Sequence, residues 1–147
     1  MNNDKYLYIV STVDLKEKTD EDLKKEYEVY KVKYPSWKEK SYESFYEFQE
    51  GWNWHKYSFE QEENSYFLDL DKAKASVKSN FADINDGGVY NYALIKKVPL
   101  EYAYAMTRVE ELYLFKYDRE LDSYVEIELN KDDESKYITS VVFPLNI

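Results

Sequence analysis

The sequence predicts an α+β fold: a mostly antiparallel sheet of about 4–6 strands with two or three helices packed on one face. Two observations lead there. Capped, amphipathic helical patterns concentrate in the first half of the chain. Runs of β-branched and aromatic residues separated by polar turns fill the second. No Pro/Ser/Gly-rich linker and no repeat of 20 to 50 residues interrupts the pattern, so residues 1–147 read as a single domain.

Residues 6–13 (Tyr-Leu-Tyr-Ile-Val-Ser-Thr-Val) are apolar on both faces and read as an interior strand. Thr19-Asp20-Glu21-Asp22 is a helix start with acids in its first turn. Leu23, Tyr27, Tyr30 and Tyr34 follow at helical spacing until Pro35, while the alternation of Tyr27, Val29 and Lys31 leaves a strand as the alternative. Ser41 can cap a short helix with Tyr42, Phe45, Tyr46 and Gln49 on one face, ending at Gly51. Residues 52–67 read as irregular. Asp69 or Asp71 then caps the clearest helix, with a stripe of Leu70, Ala73, Val77, Phe81 and Ile84, closed by Asp86-Gly87-Gly88.

Beyond that turn, Val89–Val98 and Glu111–Tyr117 are candidate strands. Ser123–Leu129 alternates, which places Val125, Ile127 and Leu129 inward and Tyr124, Glu126 and Glu128 outward. The segment Arg119 to Asp122 forms the hairpin turn. Within the uncharged stretch Tyr137–Ile147, residues Tyr137–Phe143 supply a last strand before Pro144, inserted in the sheet of a monomer. A homodimer paired at that strand is the alternative.

Composition excludes more chemistry than it suggests. The chain has 147 residues and no cysteine, which removes disulfides, thiolate zinc sites, iron–sulfur clusters and a cysteine nucleophile. His55 is the only histidine, so no His–His metal pair forms, and Ser58 beside it lacks a nucleophile elbow. Three glycines leave little for a phosphate-cradling loop. Asp83–Gly88 superficially resembles a calcium loop, but Gly87 stands at the fifth position, where that loop needs Asp or Asn, and Leu94 at the twelfth, where it needs a glutamate. No catalytic residue, metal or cofactor is expected, and the chain reads as a non-enzyme.

No membrane-spanning stretch and no leader are expected, which makes the cytoplasm the expected compartment. The 17 tyrosines and the excess of Lys over Arg fit AT-rich coding, as in a low-GC bacterium or its mobile elements.

The formal charge is −10 and is unevenly spread. Residues 42–71 hold Lys56 against eight acids, residues 72–97 are net basic, and residues 98–147 are net acidic again. That field disfavours direct nucleic-acid binding, which needs Lys and Arg to neutralise phosphates. It suits a basic protein partner.

Acids and large aromatics interleave in 42–71, and the candidate partner-binding residues are Trp52, Trp54, Tyr57, Glu60, Glu62 and Glu63. The rings supply contact area and the carboxylates steer a cationic surface. The expectation is a non-enzymatic acidic interaction protein, of the kind a phage or mobile element uses as an anti-defence inhibitor. Its target would be a basic protein surface or a nucleic-acid-binding groove. The alternative is a small-ligand module whose aromatic pocket takes a nucleotide-like or sugar-like molecule.

Overall fold

The structure, a computed structural model, describes residues 5–33, 57–100 and 109–142. The chain divides into two compact units. One holds the described parts of Met1–Asp14 and Glu60–Ile147, and the other those of Leu15–Phe59. Among the described residues, five strands and three helices make an α+β fold with an antiparallel sheet, as the sequence predicts. In chain order they are β1 (Tyr6–Glu17), α1 (Asp20–Lys33), β2 (Tyr57–Phe67), α2 (Leu70–Lys78), β3 (Tyr92–Pro99), β4 (Glu111–Asp118), β5 (Ser123–Ile127) and α3 (Asp133–Val142). The strand order is β2-β1-β3-β4-β5, so β2 and β5 are the edges among the described residues.

Register explains the core of the larger unit. Val10 lies opposite Ile95, and Ala93 opposite Phe115. Side chains alternate along each strand, so these four share one face. Helix α2 covers that face with Ala73 and Val77, and Tyr124 of β5 completes the cluster. Every member is at most 2% exposed. The other face buries Ile9, Val13, Leu94, Val98 and Leu114. Glu134 of α3 accepts a hydrogen bond from Tyr92, which points to that second face.

In the smaller unit, the start of α1 is capped as its sequence suggests. The Asp22 amide donates to Thr19 Oγ1 at 3.1 Å, and Thr19 N–H donates back to the Asp22 carboxylate at 3.3 Å. These hydrogen bonds hold the Asp22 carboxyl below its ordinary range, the Thr19 contact being the largest cause. Leu23 and Tyr27, one turn apart, are buried, and Lys18 pairs with Glu26 at 2.6 Å.

Four expectations are corrected. Residues 57–67 are not irregular but form an edge strand. Its burial shows no alternation because both of its faces are largely exposed, which removes the period-2 signal.

The segment 137–142 is helical, so no terminal strand enters the sheet there. Asp132 accepts from the Ser135 amide at 2.8 Å, and the Ser135 hydroxyl accepts from Asp132 N–H at 3.1 Å. This reciprocal cap starts α3 and overrides the β preference of Ile138, Thr139, Val141 and Val142.

In β5 the faces are reversed: Tyr124 is 2% exposed and Val125 40%. Tyr124 gains an edge-on contact with Tyr117 and donates its hydroxyl to the Tyr90 carbonyl at 2.7 Å. That polar handle lets a tyrosine fill the core. Helix α2 ends at Lys78, which leaves Phe81 outside the helix and 69% exposed. The helix expected from Ser41, together with Trp52, Trp54 and His55, lies outside the described residues.

Candidate acidic cleft beside the edge strand

The stretch after α2 is built from left-handed backbone. Asn80, Ala82, Asp83 and Asp86 all have φ between 50° and 58°, and Gly87 and Gly88 are also positive. Asn and Asp tolerate this region better than other side-chain-bearing residues, while Ala82 has no such excuse. A pair of asparagines holds the turn. The Asn85 amide N–H donates to Asn80 Oδ1 at 3.0 Å, and Asn80 Nδ2 donates to Asn85 Oδ1 at 3.0 Å. The Asn85 carbonyl accepts from the amides of Gly88 and Tyr90. Asn85 is 2% exposed, so these hydrogen bonds are shielded from water.

This turn faces β2 across a cleft of about 490 Å³. From the strand side come Glu62, Asn64, Ser65 and Phe67; from the turn come Phe81, Ala82, Asp83, Ile84, Asp86 and Tyr90; α2 adds Ser76. Among the described residues, three carboxylates line the space and no Lys or Arg does. Tyr90 spans it, donating its hydroxyl to Glu62 at 2.6 Å. The bond to Glu62 is the main reason the Tyr90 phenol is pushed up to about 12. Burial and the charges of Glu62, Asp86 and Glu60 act in the same direction. Asn64 anchors the strand to its neighbour through a 2.8 Å hydrogen bond to Thr12 Oγ1.

Glu62 and Glu63 are adjacent but do not cooperate. Glu63 lies 3.9 Å from the Lys96 ammonium, whose side chain is only 6% exposed. Burial pulls the Lys96 pKa below its ordinary value, and Glu63 opposes that shift. Successive residues of a strand project to opposite faces, so one carboxylate neutralises a buried cation while the other remains in the cleft. Glu60, two residues before Glu62, adds its field on the Tyr90 side.

The candidate residues therefore separate. Glu62 lines the cleft and Glu60 is near it. Glu63 belongs to the Lys96 pair. Tyr57 is 7% exposed and offers no contact area, while Trp52 and Trp54 lie outside the described residues. Sequence reasoning missed Tyr90, Asp83, Asp86 and Phe81. The cluster of Asn and Asp over 80–86 was the available signal, because these residues favour left-handed turns. Among the described residues, no group of three or more His, Asp or Glu could hold a metal ion, and no helix is long and apolar enough to cross a membrane. Comparison with protein-family models, curated proteins and solved structures gives no match.

Proposed function

We propose that this protein is a non-enzymatic interaction protein whose acidic cleft receives basic side chains of a protein partner. The observation that carries this reading is the lining of the cleft: Glu62, Asp83 and Asp86 with no Lys or Arg among the described lining residues, and the exposed ring of Phe81 at its wall. A Lys or Arg stem can pack on that ring while its charged end meets the carboxylates. The net charge of −10 adds long-range attraction for a basic surface and repels nucleic acid. The same chemistry suits an inhibitor that occupies a basic, phosphate-binding groove, such as an anti-defence protein of a phage or mobile element.

A small-ligand module is the second reading. The cleft volume falls within the roughly 300–1,000 Å³ of ligand pockets. Its lining opposes a nucleotide, however, because no described residue there would neutralise phosphate. A cationic or neutral ligand fits better.

The test uses capture from a low-GC bacterial lysate at low and high salt, with the intact protein and a Glu62→Gln/Asp83→Asn/Asp86→Asn variant. Asparagine tolerates the left-handed backbone at 83 and 86, so this variant retains the turn while losing three charges. Salt-sensitive retention of a basic protein, weakened at least tenfold in the variant, is expected. Equal retention by both proteins would remove the cleft from the partner surface.

A further inference from the structure

We infer that the basic partner docks as an extended strand added to the open edge of β2 over residues 60–66, with alternate basic side chains entering the cleft. This deepens the proposed function and rests on it. Among the described residues β2 has a strand neighbour on one side only, β1. The other side of an edge strand presents backbone N–H and C=O groups that can pair with an incoming chain. Residues 60–64 and 66 are exposed, and the cleft runs along this strand, taking Glu62, Asn64, Ser65 and Phe67 as one wall.

Charge decides between occupants. A second copy of β2 would bring Glu60, Glu62 and Glu63 against their counterparts, and like charges paired across strands are destabilising. A basic strand reverses that sign. The two faces of the edge also differ. On the cleft side, Glu62 stands with Asp83 and Asp86, no Lys or Arg is among the described lining residues, and Glu60 adds its charge near Tyr90. On the other, Glu63 is already matched by Lys96.

An added strand therefore meets uncompensated negative charge on one face. It should carry Lys or Arg at every second position and neutral residues between. Alternate side chains on a strand are spaced by about 7 Å, so successive cations would follow the spacing from Glu60 to Glu62. Phe81, exposed on the opposite wall, would contact their aliphatic stems.

The probe is a nine-residue capped peptide of alternating Lys and Thr, compared with its Glu/Thr counterpart. Two further Lys/Thr peptides carry N-methyl groups at every second residue, one set in each phase. Binding is followed by titration, and amide hydrogen exchange locates it on the intact protein. The expected result has four parts: the Lys/Thr peptide binds, the Glu/Thr peptide does not, exchange at residues 60–66 slows at least tenfold, and at least one methylated peptide weakens at least tenfold.

If both methylated peptides bind like the parent, or protection appears away from 60–66, strand addition is overturned while the acidic-cleft reading stands. If the Lys/Thr peptide fails to bind at all, strand addition is overturned. If lysate capture is also insensitive to the charge-removing variant, the acidic-cleft reading fails with it. Concentration-dependent protection of 60–66 without peptide, with doubling of the molecular mass, would assign the edge to a second copy and overturn the proposal.

Discussion

Strands β2 and β3 belong to one sheet and have opposite characters. Ala93, Leu94 and Ile95 of β3 are fully buried, so both faces of that strand lie in the core. Strand β2 exposes most of its residues between Glu60 and Tyr66 and carries three glutamates among them. The difference shows how the molecule separates stability from recognition. The centre of the sheet is fixed by packing on both faces. Among the described residues its edge is held by one neighbour and is left to polar side chains, where carboxylates also discourage self-pairing.

The largest test of this contrast is the pair Ile95→Ala and Gln61→Ala. Ile95 is buried between Val10 and Tyr113 in the strand register and belongs to the cluster under α2. Its truncation should cost ~2–5 kcal/mol, as lost burial plus a residual cavity. Gln61 is exposed, and its truncation should stay within ~0.5 kcal/mol. Urea denaturation with equal m-values reads both. Comparable losses would mean that the edge is as tightly packed as the centre.

What was legible in the sequence follows the same division. β1, β3 and β4 are apolar strands, and their composition alone marks them. β2 has no such signature because a strand exposed on both faces buries no alternating set. Hydropathy ranks valine above tyrosine and so predicts Val125 inward and Tyr124 outward, the reverse of what the structure shows. A buried tyrosine whose hydroxyl reaches the Tyr90 carbonyl satisfies its polar end and keeps its large apolar ring inside. In α3, the cap formed by Asp132 and Ser135 mattered more than the β-branched residues beyond it.

The cleft was half legible. Glu60 and Glu62 were singled out for their charge, but their assembly with Asp83, Asp86 and Tyr90 depends on pairing across the fold. No local pattern records it.

The turn that forms the far wall offers an intermediate test. Asn80 has φ of 50° and both accepts from and donates to Asn85. Replacing it with Ala removes both hydrogen bonds and places an ordinary side chain in left-handed backbone. The expected loss is ~2–3 kcal/mol. Asn80→Gly keeps the conformation and loses only the hydrogen bonds, so ~1 kcal/mol is expected. Equal losses in the two variants would show that backbone strain contributes nothing here, and that the hydrogen bonds alone hold the wall.

The smallest effect separates the two neighbouring glutamates. Glu62 raises the Tyr90 phenol from an ordinary 10.0 to about 12. A phenol with a raised folded pKa contributes stability that is fully present below pH 10 and is lost as pH rises through about 12. Glu62→Gln should move the Tyr90 midpoint back toward 10, while Glu63→Gln should leave it in place. The Glu63 change should instead lower the Lys96 pKa further, because the charge that opposes burial has gone. Carbon-13 chemical shifts of labelled tyrosine and lysine follow both titrations in the same samples. An unmoved Tyr90 midpoint in Glu62→Gln would leave burial as the cause of its shift and detach Tyr90 from the cleft's field. A shift of Tyr90 in both variants would mean that the faces of β2 are electrostatically joined, and an added strand would then feel all three carboxylates on both sides.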